Sequence, residues 1–269
     1  MSERQIGRDV GDDVWSKDED DLSPEAPGRM SFLDHLDELR RRILYSVYSV
    51  LAACVISFAF INRILEFVTT PMLAVLPNHK LLATEALDPI MLWFKAGLLM
   101  AVIIASPLIM LQVWYFIAPG LYSKEKRVAI PFVFSSSALF LAGAYFGHRL
   151  AFRVTWDFLA EFNKGLGFQD WMPTAASAFS LYLRIVIGLG LVFQMPTVIF
   201  VLARFGIVSA RFLIKNFKYA VLIIFIVAAV ASPGQDPFSQ LVFAAPMLVL
   251  YVISIGVAWL FGKKKPVES

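Results

Sequence analysis

The chain has 269 residues, of which 58% are hydrophobic and only 17% charged, with 24 Phe. A soluble domain carries about 45–50% apolar and about 25% charged residues, so this composition excludes a water-soluble globule and describes a polytopic membrane protein. The net charge of +3 says little until its distribution is known, and a single cysteine, Cys54, excludes an intramolecular disulfide and suits a small core residue.

Residues 1–29 hold Asp12, Asp13, Asp18, Glu19, Asp20 and Asp21, then Pro24 and Pro27. Such a segment cannot bury enough apolar surface to fold, and the expectation is an acidic, mobile tail over 1–30. It has no apolar h-region near its start, so a cleavable signal peptide is not expected. From Ser31 the pattern changes: Phe32, Leu33, Leu36, Leu39 and Ile43 recur at helical spacing, with Asp34, Asp37, Glu38, Arg40, Arg41 and Arg42 between them. This predicts an amphipathic helix, capped by Ser31, that runs into a membrane span with its arginines at headgroup level.

Six apolar segments follow, over about 43–61, 90–117, 128–150, 181–203, 217–231 and 238–261. A span needs about 20 residues, so the fifth is short and must thin the bilayer or be shielded by its neighbours. The predicted fold is all-α: six transmembrane helices over residues 31–262, followed by a short basic tail, 263–269. Residues 62–89 form a cap containing Pro71 and Pro77. The amphipathic run through Phe152, Val154, Trp156, Phe158 and Phe162 carries the third helix past the lipid, with Trp156 and Trp171 suited to an interfacial belt.

Loop charge orients the bundle. Arg29, Arg40, Arg41 and Arg42, then Lys124, Lys126 and Arg127, then Arg204, Arg211, Lys215 and Lys218, then Lys263, Lys264 and Lys265 fall on one side. Arg63, Lys80, Arg149, Arg153 and Lys164 fall on the other. The positive-inside rule then puts both termini in the cytoplasm.

No zinc-protease, nucleophile-elbow or phosphate-loop motif is present, so no enzyme, metal or cofactor is expected. His35, His79 and His148 fall at or beyond span ends and are expected as solvated or interfacial side chains. Lys95 and Arg184 lie near outer ends and can snorkel. Gln194, just before Pro196, is the one deep polar side chain; it is either helix–helix glue or functional. Gly143 and Gly147 form a GxxxG match, expected as a packing face. Asp236 lies in a turn dense in breakers, Ser232 to Gln240, and either caps the sixth helix or acts directly. In the first inner loop, Val113 to Arg127, one acid, Glu125, stands among Lys124, Lys126 and Arg127 behind an aromatic belt. It either pairs with those neighbours or serves as a carboxylate contact for a cationic ligand.

Four stretches together resemble one family, TatC, the polytopic subunit of the twin-arginine (Sec-independent) protein translocase. They are His35 to Arg42, Pro71, Val113 to Arg127, and Ser232 to Asp236 with Ser239 and Gln240. The resemblance implies a concave, glove-like receptor in the bacterial cytoplasmic (inner) membrane that binds the arginine-pair signal peptides of folded cargo. It implies partners of the TatA and TatB type, self-association as a homo-oligomer within a receptor complex, and transport driven by the protonmotive force; nucleic acid is not implied. By the same resemblance Glu125 is the main contact for the arginine pair, with Glu38, Arg40 and Phe116 sharing the recognition surface. Pro71 and Asp236 match positions important for activity, and Gln194 stands where many members have a glutamate. The rival readings are a polytopic small-solute transporter, which predicts an internal repeat that is not found, and a membrane-embedded enzyme. Because the acidic tail has a composition that cannot fold, deletion of residues 1–28 is expected to leave membrane insertion and cargo export largely intact. Export assayed at matched protein level checks this, and loss of export would give the tail a role.

Overall fold

The computed structural model describes residues 32–76, 80–117, 129–167, 172–232 and 237–262. The chain divides into two units, Met1–Arg40 and Arg41–Ser269. In chain order the helices are α1 (Phe32–Ala59), α2 (Ile61–Leu73), α3 (Asp88–Ile117), α4 (Ala129–Phe146), a π-helical turn (Gly147–Ala151), α5 (Phe152–Gly165), α6 (Ala175–Val192), α7 (Met195–Arg204), α8 (Ala210–Lys215), α9 (Phe217–Ala231) and α10 (Pro237–Phe261). Among the described residues, five helical stretches are long and apolar enough to cross a membrane: Leu33–Ala59, Asp88–Ile117, Ile130–Gly165, Ala175–Arg204 and Pro237–Phe261. The sixth predicted span is the shorter apolar helix α9, whose 15 residues reach about 22 Å against a hydrocarbon core of about 30 Å. Ile130, Phe134, Val230 and Trp259 are each more than 75% exposed, as lipid-facing side chains should be.

Two features differ from the sequence reading. The cap over 62–89 is partly helical, and Pro71 lies inside α2 rather than in irregular loop. The fourth span breaks in the middle, because Pro196 has no N–H to give the carbonyl four residues earlier; α6 stops at Val192 and α7 starts at Met195. The third helix does continue past its apolar part, as expected, through the π turn into α5.

The caps follow local chemistry. Thr174 Oγ1 accepts from the Ser177 N–H at 3.2 Å to open α6, and Ser209 Oγ accepts from the Phe212 N–H at 3.2 Å to open α8. Asp88 accepts from the Thr84 and Glu85 N–H groups at 3.0 and 3.2 Å and from the Thr84 hydroxyl at 3.2 Å, which fixes the turn leading into α3. The loop before it is stitched to the loop before α6: the Leu82 N–H donates to Pro173 O at 3.2 Å and the Ala175 N–H to Leu82 O at 2.8 Å. Side chains tie helices by backbone acceptors elsewhere: Ser57 Oγ donates to Gly97 O at 2.7 Å, Gln240 Nε2 to Phe225 O at 2.8 Å and Tyr251 Oη to Leu213 O at 3.0 Å.

The seam between α4 and α6 is closely packed, with little room for a side chain at its glycines. A Cβ on Gly143 would lie 2.6 Å from Leu189 O and 2.8 Å from Phe193 Cβ, and one on Gly147 would lie 3.0 Å from Val186 Cα. The Gly143–Gly147 pair is therefore the packing face that the GxxxG match predicts. Further along, Gln194 Nε2 donates to Ser136 O at 2.8 Å. Gln194 thus bridges the α6–α7 break to α4 inside the chain itself.

Two outcomes follow. Gly143→Ala forces a methyl against a carbonyl and should cost about 1–3 kcal/mol. Gly256→Ala, where nothing lies within 4 Å, should cost nothing or gain helix propensity. Thermal unfolding of both variants in one detergent checks the contrast. Gln194→Leu should cost about 0.6–2 kcal/mol by leaving the Ser136 carbonyl without its donor. Gln194→Glu should retain more stability, since a protonated carboxyl still offers an O–H; equal melting of the leucine variant and wild type would mean that Gln194 only fills space.

Candidate functional site

The end of α3 carries the side chains that lead directly into residues 118–128. Trp114 is buried and its ring meets Phe132 of α4 with centroids 4.8 Å apart. Phe132 in turn meets Phe200 of α7 at 6.4 Å. Tyr115 is exposed and takes the Arg42 guanidinium over its ring, 4.8 Å from the centroid. The same guanidinium donates from Nη1 to Gln112 Oε1 at 3.2 Å. Cation–π contact and an amide acceptor thereby clamp α1 to α3 at this end. Phe116 is half-buried one residue before the helix stops. Arg41 donates from Nε to Tyr45 Oη at 3.3 Å, a pair within α1.

The predicted contacts are distributed as follows. Glu38, half-buried, and Arg40, exposed, lie on α1 within the first unit. Glu125 lies in 118–128 and Asp236 in 233–236, both outside the described residues. Gln194 sits at the α6–α7 break, bonded to α4, and Pro71 sits on α2; neither is at the Phe116 end of α3. The Arg42–Gln112–Tyr115 clamp was not singled out by the sequence. Its signal was faint, because a cation–π pair across about 70 residues has no local spacing to betray it.

Around Pro71 a second polar place appears. His148, expected as solvated or interfacial, is buried at 6% exposure. Its Nδ1 shares a hydrogen bond with Tyr182 Oη at 2.9 Å, and its ring stacks on Phe67 with centroids 4.0 Å apart. Trp156, expected in an interfacial belt, is likewise buried at 2% and donates from Nε1 to Met72 O at 3.0 Å. The reason is one buried stripe: His148, Phe152, Trp156 and Ala160 recur every four residues and face α2 and α6. That spacing was readable, but His and Trp at the end of an apolar run look the same whether water or another helix receives them. Trp171 and His79 lie outside the described residues. Cys54 is partly buried beside Ala53, Ala101 and Ala105, as a small packing residue should be. Lys95 and Arg184 are exposed.

A family model for the Sec-independent protein translocase protein (TatC) matches residues 34–246. The Sec-independent protein translocase protein TatC of Koribacter versatilis (strain Ellin345) is 40% identical over 247 residues, 90% of each chain. The protein of the same name from Aquifex aeolicus (strain VF5) is 35% identical over 240 residues, 88% of this chain and 98% of that one. A crystal structure of the twin arginine translocase receptor TatC superposes with a TM-score of 0.72 at 34% identity, covering 83% of this chain and 97% of that one. A second crystal structure of the receptor, in DDM, gives 0.73 at 35% identity, covering 86% and 100%. The all-α bundle is the fold of these solved receptors, and the chain belongs to the TatC family of Sec-independent protein translocase proteins.

Proposed function

We propose that this multi-pass membrane protein is the receptor and core subunit of a twin-arginine translocation system. It binds the arginine-pair signal peptides of folded cargo and nucleates their export, driven by the protonmotive force, without itself catalysing a chemical step. The observation that carries this reading is the likeness of nearly the whole bundle, at about a third identity, to receptor crystal structures. The small-solute transporter reading has no support from any comparison. The bias of basic residues toward one set of loops supports cytoplasmic termini in a bacterial inner membrane. Partners of the TatA and TatB type and further copies of the chain complete the complex in this reading.

Recognition follows from carboxylate and guanidinium chemistry. Two arginines are best met by two acids, each able to accept paired hydrogen bonds. Glu125 and Glu38 supply them, with Arg40 setting the local charge and Phe116 anchoring the start of the loop. The basic neighbours Lys124, Lys126 and Arg127 repel lysine-rich segments that lack the matching geometry. The Arg42 clamp supports this assignment, because a loop that must present one carboxylate needs a firm base.

Loss of a charged hydrogen-bond partner costs roughly 1.5–3 kcal/mol, so Glu125→Ala should weaken binding of an arginine-pair peptide roughly tenfold to more than a hundredfold. Glu125→Asp should fall in between and Glu125→Arg should be worst. Peptides with both arginines replaced by glutamine should bind wild type and Glu125→Ala almost equally. A binding titration over these pairs decides it: if Glu125→Ala weakens both peptides by one factor, Glu125 supports the loop and does not read the arginines.

A further inference from the structure

A recess of about 240 Å³ opens between α2 and the turn that joins α4 to α5. Its α2 wall is Phe67, Thr70 and Pro71 with two aliphatic neighbours, and none of these side chains carries charge. The opposite wall is His148, Arg149 and Arg153. On the α2 wall Pro71 has no N–H, and Thr70 Oγ1 already donates to Glu66 O at 2.6 Å. The side-chain donors left to the recess, among the described residues, are one imidazole and two guanidiniums.

Those two guanidiniums stand four residues apart on adjoining helical turns, where like charges face one another and destabilise the helix. Arg153 meets Asp157 at 3.8 Å, and both side chains are half or more exposed, so that pair is worth little. Arg149 is exposed at the rim. The His148 Nδ1 is taken by Tyr182, which leaves Nε2 as the ring nitrogen without a partner among the described residues. The π-helical turn at Gly147–Ala151 sets this phase, and such turns recur at functional sites. The recess also lies where the chain leaves its apolar run: α4 has no charged residue, and Arg149 and Arg153 follow directly. Phe67, 47% exposed, continues the wall outward as an apolar surface.

A one-sided donor set with excess positive charge, at the end of an apolar span, calls for an acceptor-rich anion with an apolar tail. We propose that this recess binds a phosphate group, supplied by the headgroup of an anionic membrane lipid, with Arg149 and Arg153 as its charge-assisted donors. The guanidinium fork matches phosphate oxygens, and the acyl chains run along the apolar α2 surface beside Phe67. The proposal is independent of the signal-peptide reading, since none of these residues belongs to that site.

Native mass spectrometry of the full chain in detergent tests it. Wild type should retain phosphatidylglycerol about tenfold or more over diacylglycerol with the same acyl chains. The double variant Arg149→Gln/Arg153→Gln should lose that preference while its melting temperature stays unchanged, because both side chains are exposed. Millimolar inorganic phosphate is added in a third arm. Retention that withstands it assigns the site to the lipid. Displacement by it, abolished in the double variant, assigns the same phosphate chemistry to the free ion. Equal retention of the two lipids by wild type, which needs no variant to fold, overturns the proposal, as does an undiminished preference in a folded double variant.

Discussion

The antiparallel approach of α4 and α6 governs much of what the other helices do. Ser136 faces Gln194, Phe140 faces Gly190, Gly143 faces Leu189, Gly147 faces Val186 and His148 faces Tyr182. The contacts run in register along the full seam, and glycine appears on both helices: a Cβ on Gly190 would lie 2.9 Å from the Phe140 ring. In lipid the hydrophobic effect does not press helices together, so association relies on close packing and interhelical hydrogen bonds. Glycines supply the first and the Gln194 and His148 side chains supply the second.

The seam also runs past the proline break in the fourth span. At this break the Gln194 carboxamide reaches across to α4, and the chain resumes as α7 with the Val198 N–H donating to Gln194 O at 2.9 Å. The amide donates without titrating, and Gln194 is a structural bridge from the break to α4.

The two ends of the bundle are built by different chemistry. At the α3 C-terminus, aromatic rings, an amide and the Arg42 guanidinium hold the base of the loop. Near α2, backbone carbonyls receive the Trp156 indole and the strand-like pairing of Leu82 with Thr174. Recognition loops on a rigid helical scaffold are a common division of labour. Here the scaffold is well packed up to Ile117, and the proposed recognition carboxylate follows eight residues later in sequence.

The spans, their order, the short fifth helix and the GxxxG face were legible in the sequence, because hydropathy and local spacing act over one or two helical turns; the family was legible as a resemblance carried by four motif stretches. The acid in the basic loop was legible for the same reason, since Glu125 contrasts with its immediate neighbours. Tertiary structure decided what local spacing cannot hold. It put Pro71 in a helix, buried His148 and Trp156 against α6 and α2, joined Arg42 to Gln112 and Tyr115, and turned Gln194 toward Ser136. Each of these depends on which helix stands beside which, separated by 58 to 84 residues for Gln194 with Ser136 and Trp156 with Met72. A polar side chain at the end of an apolar run is indifferent, by sequence, to whether water or a neighbouring carbonyl will satisfy it; only the packing of the helices supplies the partner.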